Sequence, residues 1–77
     1  MTGHTSIIVC DDHPIFRSGV VHCLEEVEEF SVVAEASDVD SAIAKLQIYQ
    51  PDVLVCDLSM PGSSGFELLK WVADNQP

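Results

Sequence analysis

The chain has 77 residues, 47% of them hydrophobic and 21% charged, the make-up of one small globular domain and not of a disordered or fibrous segment. Three basic residues, Arg17, Lys45 and Lys70, stand against 13 acidic ones, for a formal net charge of −10. This balance excludes a nucleic-acid surface within these residues, because phosphate contacts need clustered lysine and arginine, and it suits a divalent cation or a basic partner.

Met1 to Ser6 reads as a polar, frayed start, with His4 inert. Ile7-Ile8-Val9-Cys10 is a continuous apolar run of strand length, stopped by Asp11-Asp12. Such a run fits a strand buried on both faces, as a parallel sheet requires. Pro14 suits the first turn of a helix, where its missing N–H costs nothing. Phe16, Val20, Cys23, Leu24 and Val27 then make one apolar helical stripe. Glu25, Glu26, Glu28 and Glu29 read as a solvated helix end. Phe30 to Ala36 is a second, weaker strand. Ser37 or Asp38 can cap a second helix whose Val39, Ala42, Ile43, Leu46 and Tyr49 face inward, and Pro51 ends it. Val53 to Cys56 is a third apolar strand, again stopped by an aspartate, Asp57. A turn-rich loop, Ser59 to Ser63, follows. Ser64 with Glu67 forms a capping box ahead of Phe66, Leu69, Val72 and Ala73.

The alternation β-α-β-α-β-α implies an α/β fold, a three-stranded parallel sheet of strand order 2-1-3 with right-handed crossovers. Helices cover both faces, the first on one side and the next two on the other. Cys10, Cys23 and Cys56 are odd in number and lack CxxC spacing, so they read as small buried hydrophobes in a reducing cytoplasm. No signal peptide opens the chain, and no apolar run nears the roughly 20 residues of a membrane span.

In this order the first and third strands are neighbours, and their ends bring Asp11, Asp12 and Asp57 to the carboxyl edge, where open α/β sheets bind ligands. Clustered carboxylates repel one another, and a divalent cation relieves that conflict. An all-oxygen, water-retaining site suits Mg²⁺. A carboxylate beside such an ion can also attack phosphorus and form an aspartyl phosphate. Asp57, single at its strand end, is the candidate nucleophile, and Asp11 and Asp12 are the candidate metal holders. The bland alternative is that these acidic residues are only polar loop starts.

Two segments carry a family resemblance. Val9-Cys10-Asp11-Asp12-His13-Pro14-Ile15-Phe16-Arg17-Ser18-Gly19 resembles the opening of response-regulator receiver domains of the CheY-like superfamily, NarL/FixJ type. Pro51 to Gly65 (PDVLVCDLSMPGSSG) is similar to the phosphorylation-site segment of the same family, and Asp11 and Asp57 have the family's separation of 46 residues. The resemblance implies a flavodoxin-like receiver fold, of which residues 1–77 form the first part. It also implies that Asp57 accepts the phosphoryl group, that Asp12 ligates Mg²⁺ directly, and that Asp11 is a ligand or holds metal-bound water. The backbone carbonyl of Ser59 completes the protein's share of the coordination, and Met60-Pro61-Gly62 shapes the loop beside the phosphate. His13 becomes a loop residue and not a ligand; His22 is a partly exposed helix residue; Tyr49 and Trp71 are packing residues. The implied partner is a sensor histidine kinase, with DNA contacted only through an output domain of a parent chain and no membrane involved.

The pattern breaks off after the third helix. The family's serine or threonine at the end of strand four and lysine at the end of strand five have no counterpart, and neither Lys45 nor Lys70 is placed to replace that lysine. Switching is therefore expected to be impaired. The third strand becomes an apolar edge and the face beside the first helix is left uncovered, so a dimer or domain-swapped oligomer through the third strand is expected. A non-signalling self-association module is the alternative function. A hydrolase lacks a convincing general base, and an enzyme is not expected.

Overall fold

The computed structural model describes residues 4–57 and 65–75, the latter at the level of the backbone for 65–69. In chain order the elements are β1 (Thr5–Cys10), α1 (Pro14–Glu25), β2 (Phe30–Ala36), α2 (Val39–Tyr49), β3 (Val53–Cys56) and α3 (Gly65–Asn75). The three strands form one sheet in the order β2-β1-β3, parallel throughout. This is the expected topology, and it makes the central strand the most buried, with Ile7, Ile8, Val9 and Cys10 all buried.

β1 begins earlier than its apolar run. Thr5 and Ser6 are not frayed but paired, Thr5 opposite Phe30 and Ser6 opposite Ser31. Asp52 secures this end, because its carboxylate accepts from both the amide and the hydroxyl of Ser6, at 2.9 and 3.2 Å. Side-chain closure of this kind is invisible to periodicity. Opposite β1, the register with β2 shifts between Ile7 and Ile8, which face Val32 and Ala34, so that Val33 is an extra residue in β2.

Successive residues of a strand point to opposite faces. Ile8 and Cys10 pack with Ala36 and with Val39, Ala42 and Leu46 of α2, and Leu54, Cys56, Trp71 and Val72 lie against this cluster. α2 starts where Asp38 caps it, its carboxylate accepting from the Ser41 amide at 2.7 Å. It ends at Gln50, in the left-handed region at φ 46°, just before Pro51. Ile43 is half-buried as expected, but Tyr49 is exposed. Ala73 of α3 is exposed as well, with Trp71 and Val72 packing in its stead. The capping box falls on Ser64, outside the described residues.

α1 differs most from expectation. Its apolar stripe exists, yet the helix has no buried residue. Phe16 is 64% exposed, Cys23 is exposed, and Val20 and Leu24 are half-buried. Val27 lies beyond the helix, which tightens at Glu26 and Val27 through bonds to the carbonyls of Cys23 and Leu24. Among the described residues, nothing packs on the outer side of this stripe. Cys23 is consequently no buried hydrophobe. Of the other two cysteines, Cys10 is buried and Cys56 half-buried. No helix among the described residues is long and apolar enough to cross a membrane.

Candidate functional site

The carboxyl ends of β1 and β3 set the site. The ladder continues one residue beyond each strand. The Asp11 amide donates to the Ala36 carbonyl at 3.0 Å, and the Asp57 amide donates to the Cys10 carbonyl at 3.0 Å. These bonds fix Asp11 and Asp57 on adjacent strand ends at one rim, with Asp12 following Asp11. The three aspartates expected from the sequence do come together. Ser59 and the Met60-Pro61-Gly62 loop lie outside the described residues.

Each carboxylate has a distinct environment. Asp11 is the buried one, at 4% exposure, and its Oδ1 accepts from the His13 amide at 2.8 Å. That turn directs the Asp11 carboxylate back over the start of α1. Asp12 is half-buried, but its Oδ1 is fully enclosed and accepts no hydrogen bond. A buried, unsatisfied carboxylate oxygen is costly in low-dielectric surroundings unless a cation or donor meets it. Asp57 is half-buried, with its side chain partly open to solvent.

Two residues contribute that the sequence did not single out. The imidazole of His13, read as a loop residue, stands among the carboxylates. Its Nδ1 is 3.2 Å from Asp11 Oδ1, 2.9 Å from Asp12 Oδ1 and 3.8 Å from Asp57 Oδ2. One ligand-capable atom from each of Asp11, Asp12, His13 and Asp57 lies within 4.8 Å of the others. Arg17, one turn into α1, anchors the loop. Its Nη1 donates to the Asp11 carbonyl at 2.7 Å, and its Nε donates to Glu35 Oε1 at 3.1 Å. His22, by contrast, is exposed on α1, 3.7 Å from Glu26 and away from the rim.

Behind the rim sit two thiols. Burial, chiefly, pushes Cys10 up to about 12 from the ordinary 9.0, helped by the neighbouring Cys56 and by the negative charges of Asp38 and Asp11. Cys56 is raised by burial too. Both are therefore neutral, inert packing groups at neutral pH.

The donor set is hard oxygen plus one imidazole, with an enclosed Asp12 Oδ1 that accepts no hydrogen bond and has the His13 ring nitrogen 2.9 Å away. It fits a divalent cation, and Asp57 borders the same space with a carboxylate able to react.

Comparison with known proteins agrees with this arrangement. A family model described as the response regulator receiver domain matches residues 7–77. The oxygen regulatory protein NreC of Staphylococcus aureus (strain JH9) is 42% identical over 72 residues, covering 92% of this chain and 33% of that protein. The signal receiver domain of the response regulator NarL from Mycobacterium tuberculosis superposes with a TM-score of 0.89 at 36% identity, over 95% of this chain and 59% of that structure. RcsB from Salmonella enterica serovar Typhimurium, bound to promoter rprA in the presence of phosphomimetic BeF3−, gives a TM-score of 0.88 at 36% identity, over 97% of this chain and 39% of that one. The chain spans about a third of the curated relatives it matches. With the sheet order, the acidic rim and the matched residues in agreement, the chain belongs to the response regulator receiver domain family.

Proposed function

We propose that this chain is a phosphoacceptor module of two-component signalling, residues 1–77 acting as part of a receiver domain in the cytoplasm. Asp57 takes a phosphoryl group from a sensor histidine kinase. A carboxylate oxygen of Asp57 attacks phosphorus in line, the P–N bond of the phosphohistidine breaks, and its electron pair stays on the donor imidazole. Asp12, Asp57 and the Ser59 backbone carbonyl hold Mg²⁺, with Asp11 as a further ligand or as the holder of metal-bound water. When bound, the ion neutralises charge on the phosphoryl oxygens. Asp11 is kept in place by the His13 amide and, through its own carbonyl, by Arg17. The module itself is not an enzyme, and DNA is reached only through an output domain of a parent chain.

The observation that carries this reading is the enclosed Asp12 Oδ1 facing the same space as Asp57. Among the described residues no lysine stands at that rim. Lys45 is spent on the Glu35 carbonyl at 2.9 Å, and Lys70 belongs to α3. The test is incubation with Mg²⁺ and acetyl phosphate, read by intact mass, and with beryllofluoride, read by fluorine NMR. One adduct is expected, lost in Asp57→Asn and, at limiting Mg²⁺, weakened in Asp12→Asn by about tenfold or more. No adduct at saturating Mg²⁺ would sink the proposal.

A second reading, self-association through β3 as a homodimer or swapped oligomer without signalling, draws support from the uncovered α1 face, where Ile15 is 90% exposed.

A further inference from the structure

Arg17 is the chain's only arginine, and Lys45 and Lys70 are its two lysines. Two of these three cations meet at one residue of β2. The Lys45 ammonium donates to the Glu35 carbonyl at 2.9 Å, and Arg17 Nε donates to Glu35 Oε1 at 3.1 Å. The other side of the same guanidinium does not pair with a second carboxylate, in a chain that has 13 acidic residues. Its Nη1 donates instead to the backbone carbonyl of Asp11, at 2.7 Å.

That carbonyl belongs to the peptide group joining Asp11 to Asp12. A peptide group is planar, so holding its oxygen sets the direction in which the chain leaves for Asp12. Asp11 itself is held separately, by its amide on the Ala36 carbonyl at 3.0 Å and by its carboxylate under the His13 amide at 2.8 Å. Arg17 stands firm enough to act as a brace. Its own amide donates to the His13 carbonyl at 2.8 Å, and its side chain is 20% exposed. A planar guanidinium serves acceptors in two directions from one rigid group, whereas a lysine ammonium is a point donor on a flexible stem.

We propose that Arg17, tethered by Glu35, is a positioning residue for the ion site: it sets Asp12 relative to Asp11 and so tunes divalent-cation affinity without touching the ion. This rests on the metal-binding reading above, and it extends the site to an exposed residue of β2. Asp57 lies beyond β3, outside this brace, so its reactivity is unchanged once the ion is bound.

The sign of one substitution separates positioning from charge. Removing a cation near an acidic rim would, through Coulomb attraction alone, tighten Mg²⁺ binding. Loss of the brace loosens it. The rate of adduct formation with acetyl phosphate is therefore measured against Mg²⁺ concentration. Arg17→Met should raise the half-saturating Mg²⁺ concentration by about tenfold, the scale on which groups behind metal ligands act, and leave the rate at saturating Mg²⁺ unchanged. Arg17→Lys keeps the charge and should stay close to Arg17→Met. Glu35→Gln should raise the half-saturation point by about threefold, within the range of an exposed ion pair, and it carries the test should Arg17→Met fail to fold. In metal-free protein the single arginine gives one Nε–H cross-peak in nitrogen–proton NMR, which should be protected from water exchange and should move in Glu35→Gln. A half-saturation point that falls or stays constant, full recovery in Arg17→Lys, a loss confined to the saturating rate, or a cross-peak indifferent to Glu35→Gln overturns the positioning role and leaves the ion site standing. A parent that forms no Mg²⁺-dependent adduct overturns the metal-binding reading and this role together.

Discussion

Cys10 ends β1 with its thiol buried beneath the acidic rim, and the direction of its ionisation fixes a pH dependence for the whole domain. The folded state holds the thiol at about 12 against the ordinary 9.0. A raised value means that folding favours the neutral thiol, so this contribution is complete below about pH 9 and is lost as pH climbs toward 12. The melting temperature is expected to fall across that window, and to fall less steeply in Cys10→Ala than in the parent. Equal slopes for the two proteins would contradict the buried, neutral thiol. Iodoacetamide should correspondingly label Cys23 first and Cys10 only with unfolding. The acidic residues of the site were legible in the sequence because an apolar strand that stops at aspartate leaves that aspartate at the sheet's rim. His13 was not. A histidine after two aspartates has no periodic signature, and whether its ring turns inward depends on the extended backbone that precedes Pro14. Arg17 was equally hidden, since its contact is to a backbone carbonyl and not to a side chain.

At the scale of elements, α2 shows what makes this small sheet hold. It contributes Val39, Ala42 and Leu46 to the cluster under β1, and it starts at a cap that satisfies an amide at its first turn. Leu46, at 1% exposure, has no room to relax, so Leu46→Ala is expected to cost about 2–5 kcal/mol in denaturant unfolding. Asp38→Ala removes one exposed cap bond and is expected to cost about 1 kcal/mol. A cap variant that destabilises as much as the core variant would mean that the cluster is looser than its burial implies. The apolar positions of α2 followed from periodicity because the sheet covers them. The same periodicity in α1 reported a stripe, but a stripe does not say whether a partner is present to bury it. Tyr49 shows the limit from the other side, being three residues after buried Leu46 and so in phase with the buried face, yet exposed.

For the whole molecule, an apolar edge and an apolar helix face are set against a strong like charge. β3 pairs only with β1 among the described residues, which leaves its other edge open. Phe16 and Ile15 project from α1 on a face that Val9 and Val55 of the sheet also border. A second copy pairing along β3 would satisfy the free backbone groups and extend the sheet. Opposing this, a net charge of −10 on each chain makes two copies repel. Screening shortens that repulsion, from a Debye length of about 14 Å at about 0.05 M salt to about 4 Å at about 0.5 M, while edge pairing and apolar burial are little weakened. Association is thus expected to strengthen with salt, and sedimentation velocity at micromolar protein should show the dimer fraction rising across that range. Val53→Lys separates the two contributions. It lowers the net negative charge, which on electrostatic grounds alone would favour the dimer, but it puts a lysine on the open edge, which blocks strand pairing. Loss of the dimer in Val53→Lys at high salt is the expected result. A stable, compact monomer at every salt concentration would remove self-association through β3, and with it the second functional reading, while leaving the phosphoacceptor proposal intact.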